Sequence, residues 1–173
     1  MVYINDQFKI IFIENPKSGS TSILMALQKV LNYRQTSRTP EKAHQTCDEI
    51  KQQFPDKWKE YLKVSTFRDP VSRFISSMKF KTHITYYYRT EKEILNHFKI
   101  NKKCVYCVPQ EEFTNGCDVI LHLDTLQEDF DKLCEKLCVK TTRINHLNSS
   151  HIKNNLNKIP KEILTKIFNE NYN

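Results

Sequence analysis

The chain has 173 residues, enough for one domain with an ordinary core and too few for two domains of typical size, so residues 1–173 are expected to form a single domain. Hydrophobic residues make up 39% of the chain and charged residues 27%, which excludes a disordered composition. The net charge of +7 favours polyanionic partners, whether nucleic acid, acidic glycan, anionic membrane surface or phosphorylated small molecule, without choosing among them.

No apolar run reaches the roughly 18 residues that a membrane span needs, and the opening MVYINDQFKIIFIEN lacks the basic-then-apolar order of a signal peptide. A soluble, cytoplasmic protein with no membrane partner is therefore expected. In chain order, Lys9–Glu14 (KIIFIE) is short, β-branched and apolar, as a strand buried on both faces of a parallel sheet should be. Ile23, Ala26, Leu27, Val30 and Leu31 then recur at helical spacing, with Ser20, Thr21 and Ser22 at the front of the helix. A further helix is read over Glu41–Gln53.

Tyr61–Phe67 (YLKVSTF) predicts a second strand, ended by Arg68. Asp69-Pro70 follows as N-cap and first helical residue, with Val71, Phe74, Ile75 and Met78 as the apolar stripe. Glu91–Lys99 reads as helical. Val119–Leu123 predicts a third strand, followed by a Thr125/Glu128 capping box and a helix burying Leu126, Phe130, Leu133 and Leu137. Pro160 opens a last helix through Ile163, Leu164, Ile167 and Phe168. Alternating strands and helices imply an α/β domain with a mostly parallel central sheet flanked by helices, whose ligands gather at the carboxyl ends of the strands.

Two loops fall at those ends. The chain has only two glycines where average usage near 7% would give about twelve, and Gly19 is spent in the first loop, NPKSGSTS. Glycine lets successive amides turn toward one point, and the helix N-terminus behind it adds partial positive charge, so the loop suits a phosphate, with Lys17 beside it. The alternative is an ordinary strand-to-helix turn. Lys17 precedes the glycine, whereas GxxxxGK[ST] places lysine after the second one, so a nucleoside triphosphatase is disfavoured. In the second loop, TFRDPVSRFISS, Arg68 stands at a strand terminus and Ser76 two helical turns on. Arginine forks onto phosphate oxygens, and a serine hydroxyl adds a donor. The alternative makes Arg68 a surface charge, and for Arg73 the surface reading is preferred.

Together, PKSGSTS and FRDPVSRFISS resemble the two cofactor loops of sulfotransferases that use 3'-phosphoadenosine 5'-phosphosulfate (PAPS). The likeness is closest to the carbohydrate (heparan and chondroitin) family 2 branch and its small microbial or viral type. KAHQTCDEIKQQF, VPQEEFTNGCDVILHLDTLQEDFDKLCEKL and INHLNSSHIKNN extend it over nearly the whole chain. The resemblance implies a three-layer P-loop-like fold and transfer of a sulfuryl group to an acceptor hydroxyl, with 3',5'-phosphoadenosine as product. It also implies that Pro16, Lys17, Ser18, Gly19, Ser20, Thr21 and Ser22 hold the 5'-phosphosulfate, that Arg68 and Ser76 hold the 3'-phosphate, and that Asn148, Ser149 and Lys153 form a late cofactor-side loop.

Lys17, with three donors on a flexible stem, suits stabilisation of the leaving oxygen, and the reaction requires no metal. A base must take the acceptor's proton. His44 in KAHQT matches a histidine of the microbial members, and Glu14, before the phosphate loop, is the alternative. Gln110 in VPQEEF resembles a position near the acceptor, and Tyr87, with Tyr86 and Tyr88, suits a sugar-stacking wall as well as it suits core packing. A glycan or small-molecule acceptor is the expected partner.

Six cysteines are expected as reduced thiols. Cys104 and Cys107 form a lone CxxC without the second pair that a zinc site needs, and Cys117 is the only candidate third ligand. Two other functions compete: a nucleotide-binding protein without turnover, and a basic nucleic-acid-binding domain. The latter is favoured by charge alone, since no nucleic-acid-binding signature is present.

Overall fold

The computed structural model describes residues 2–32, 44–82, 92, 108–145, 162 and 165–166. They fall into two compact units, Met1–Arg68 with Pro109–Leu147, and Asp69–Val108 with Asn148–Asn173.

The first unit is built on a mixed sheet of four strands in the order β1-β2-β3-β4: β1 Val2–Asn5, β2 Ile10–Ile13, β3 Leu62–Phe67 and β4 Val119–His122. β2, β3 and β4 run parallel, with Phe12 beside Val64 and Val64 beside Val119. All three expected strands are present. β2 is buried along its whole length, as its unbroken apolar run requires. β1 is an addition, an antiparallel edge strand that pairs Val2 with Ile13 and returns through a turn in which Lys9 has φ 47°.

Helix α1 spans Ser20–Val30 and follows β2. Its Ile23, Ala26 and Leu27 are buried in one core with Ile10, Phe12, Val64 and Leu121. The last helix of this unit among the described residues, Leu126–Lys136, adds Leu126, Phe130 and Leu133 to the same core. Leu137 is only partly buried, and Cys134 takes the inner position. Ile11 and Ile13 point to the opposite face because side chains alternate along a strand.

Two local expectations change. Helix α2 spans Cys47–Gln53 and does not begin at Glu41. Thr46 accepts from the Glu49 amide at 3.3 Å while Glu49 accepts from the Thr46 amide at 3.0 Å, a reciprocal cap that starts the helix there. The Thr125/Glu128 box does not form. A single 3-10 turn, Leu123–Thr125, intervenes, and Asp129 instead accepts from the Thr125 hydroxyl at 2.9 Å and the His122 amide at 2.8 Å. Two short helices had no periodicity to reveal them, α3 (Pro55–Glu60) and α5 (Glu111–Thr114).

In the second unit, α4 spans Pro70–Thr82, with the Asp69 carboxylate accepting from the Ser72 amide at 2.9 Å as the expected cap. Phe74 is buried and Val71 half-buried. Arg73 is not a surface charge: it is 5% exposed, and its Nη1 donates to the Val108 carbonyl at 2.8 Å. Lys92 is helical within the expected Glu91–Lys99, and Glu162, Thr165 and Lys166 are helical beyond Pro160; the remainder of both segments lies outside the described residues. No described helix is long and apolar enough to cross a membrane.

Candidate functional site

Because β2 and β3 are parallel neighbours, their carboxyl ends lie at one edge of the sheet. The Ile13–Ser65 register therefore brings the chain leaving β2 beside the chain leaving β3. The first of these is Glu14–Gly19, the second Arg68. Glu14, Asn15, Pro16 and Ser18 are buried, and Lys17 and Gly19 are half-buried.

Two residues of the loop adopt left-handed backbone, Lys17 at φ 66° and Gly19 at φ 84°. Glycine meets this demand without cost at 19, where an added Cβ would also stand 2.8 Å from Leu123 Cδ1. A lysine in that region is uncommon and is held by its surroundings. The Ser18 hydroxyl supplies part of that hold. It donates to the Asn15 carbonyl at 2.7 Å, so its single proton is used and the Thr66 hydroxyl donates to it in turn. Ser18, fully buried, thus ties the loop to the sheet through its side chain.

Gly19 is the N-cap of α1, with no side-chain cap and no acidic residue in the first turn. The first amides of a helix have no intrahelical acceptor, and the helix dipole leaves them partially positive. Ser20 and Ser22 are buried and Thr21 is exposed at this end.

Arg68 Nη1 donates to the Lys17 carbonyl at 3.2 Å. Burial, and then the nearby Arg68 charge, lower the Lys17 ammonium from its ordinary pKa to about 8. Two cations held in each other's field at a helix N-terminus make an arrangement that an anion stabilises.

His44 Nδ1 lies 3.2 Å from the Glu14 carbonyl oxygen, which can only accept, so Nδ1 carries the proton. In the neutral ring the basic lone pair is then on Nε2. The two expected bases are thereby brought together, with the buried Glu14 supplying the backbone oxygen that orients His44.

Gln110 is 4% exposed and faces Arg68 and Asn15, donating to the Arg68 carbonyl at 2.7 Å. Gln110, expected near the acceptor, here meets the Arg68 backbone, while Thr66 and the side chain of Asn15 are members of this site that the motifs do not single out. The only hint was polar side chains next to an apolar strand end. Ser76 lies on α4 in the second unit, half-buried. Tyr87, Asn148, Ser149, Lys153, Cys104 and Cys107 lie outside the described residues. The four described cysteines are free thiols, with Cys47 and Cys117 sulfurs 4.0 Å apart.

A family-2 model of the sulfotransferase family matches residues 1–113 of the 173. The chain belongs to the sulfotransferase family. The match includes β1 to β3, both loops and all of the site residues described above, and family membership supports sulfuryl transfer as the activity. No curated protein and no solved structure matches the chain.

Proposed function

We propose that this sulfotransferase moves the sulfuryl group of 3'-phosphoadenosine 5'-phosphosulfate to a carbohydrate hydroxyl, with Lys17 at the leaving group and no nucleic-acid partner. The observation that carries the reading is the pairing of Lys17 and Arg68 at adjacent strand ends, beside the N-terminus of α1. The residues present fit a nucleotide with two phosphate-bearing positions. A left-handed loop, a helix start without acid and Lys17 suit the 5' side, and Arg68 suits the 3'-phosphate. A three-layer P-loop-like architecture belongs to the same reading.

Bound there, the donor supplies an activated sulfuryl group. Lys17 presents its ammonium where negative charge develops on the leaving oxygen, from a half-buried position in which that charge is felt more strongly than in water. The loop amides fix the phosphate, which reduces the reaction to positioning and electrostatics, much as in phosphoryl transfer. His44 Nε2 accepts the acceptor's proton while Nδ1 stays anchored to Glu14.

The test is transfer of radiolabelled sulfate from the donor to a panel of glycan acceptors. Label transfer by the wild type, lost in Lys17→Ala, is the expected result. Donor binding without transfer to any acceptor would favour a nucleotide-binding protein instead.

A further inference from the structure

Gln110 precedes α5 and meets Arg68 from both sides. Its Nε2 donates to the Arg68 carbonyl at 2.7 Å, and its Oε1 accepts from the Arg68 amide at 3.1 Å, across 42 residues of chain. A primary amide offering a donor and an acceptor to one residue's C=O and N–H does what a neighbouring strand would do. β3 ends at Phe67, so Arg68 is the first residue beyond the ladder, and its two backbone groups take the Gln110 side chain where a strand partner stops.

The amide is in turn fixed. Asn15 Nδ2 donates to Gln110 Oε1 at 3.0 Å and to the Thr66 carbonyl at 2.8 Å, and Asn15 is fully buried. Asn15 begins the phosphate loop, and its carbonyl accepts the Ser18 hydroxyl. One buried chain of amides therefore sets the backbone of Arg68 relative to that of the Lys17 loop. The direction of the Arg68 side chain follows from its backbone, and that side chain reaches the Lys17 carbonyl.

We infer that Gln110 is a positioning residue: its side-chain amide stands in for a strand partner and aims the Arg68 guanidinium at the nucleotide's 3'-phosphate. This rests on the proposed role of Arg68 as the 3'-phosphate ligand. The residue type is specific. Glutamate keeps the acceptor and loses the donor, methionine loses both at similar length, and asparagine is one methylene short.

The experiment is calorimetric titration of the full chain with 3',5'-phosphoadenosine and with adenosine 5'-phosphate, which lacks the 3' group. Wild type, Gln110→Met, Gln110→Glu, Arg68→Ala and the Gln110→Met/Arg68→Ala double variant are compared, with thermal melting of each. The wild type should prefer the bisphosphate. Gln110→Met should lose on the order of tenfold of that preference, with affinity for the monophosphate unchanged, and add nothing in the Arg68→Ala background. Gln110→Glu, which keeps one of the two bonds, covers the case in which methionine prevents folding, and a smaller loss of preference is expected of it.

A wild-type preference retained in both glutamine variants would overturn the inference. So would losses that multiply in the double variant, or a fall in affinity for both nucleotides alike, the mark of a merely structural role. A wild type that binds both nucleotides equally would refute the Arg68 assignment itself, a separate failure visible before any variant is made.

Discussion

The Arg68 guanidinium donates to the backbone oxygen of Lys17 at 3.2 Å, which places two cations from neighbouring strand ends in each other's field. Partial burial of the lysine, and then the nearby Arg68 charge, lower the Lys17 ammonium to about 8. An anion bound between them reverses that shift, so ligand and proton binding are linked.

The sign is fixed by the direction. Lys17 titrates near 8 in the folded chain and near 10.5 when unfolded, so between those values the unfolded state holds more protons. This group therefore makes folding more favourable as pH rises from about 8 to about 10.5, and its penalty is fully present below about 8. Affinity for the bisphosphate runs the other way, falling as pH rises through about 8. Calorimetry at pH 7, 8, 9 and 10 should show this fall and proton uptake on binding at pH 9. Lys17→Arg, which stays charged, should flatten both.

His44 is predicted to be the base, since the Glu14 carbonyl fixes its Nδ1 proton and leaves the lone pair on Nε2. Steady-state kinetics of His44→Ala should show kcat lower by about 10²- to 10⁴-fold, with affinity for 3',5'-phosphoadenosine unchanged. Glu14→Gln keeps the backbone oxygen and should retain most of kcat. The reverse ranking would transfer the role to Glu14.

Gly19→Ala should destabilise the fold by about 1–2 kcal/mol, mostly through the left-handed backbone at φ 84°. The Leu123 methyl at 2.8 Å is the end of a flexible side chain and can move. Urea unfolding with an unchanged slope is the measurement.

Thr46→Ala should cost about 1 kcal/mol, because it removes the hydroxyl that accepts from the Glu49 amide. Since α2 begins two residues after Gln45, the cap also fixes the approach of His44. A fall in kcat larger than the fall in donor affinity should accompany the loss of stability.

The three parallel strands were legible because each is a short β-branched run, and β2 is buried on both faces. β1 was not, since its turn, closed by Lys9 at φ 47°, carries no glycine. In the site, Lys17 and Arg68 announced themselves through loop composition. Arg73 was misread because nothing local distinguishes an arginine destined for a buried carbonyl from a solvated one. Asn15 and Gln110 meet across 95 residues, at the end of a sheet in which β2, β3 and β4 lie side by side. Hydrogen bonds between side chain and backbone at that separation leave no periodic trace.

The most direct measurement is thermal melting of the wild type with 3',5'-phosphoadenosine, compared with ATP. At a hundred times its dissociation constant the bisphosphate should add about 2.7 kcal/mol of stability, and the gain should fall away in Lys17→Ala and Arg68→Ala. ATP, without a 3'-phosphate, should give the smaller shift. No stabilisation by the bisphosphate, or an equal one by ATP, would contradict the assignment of the Lys17–Arg68 pair to a PAPS site.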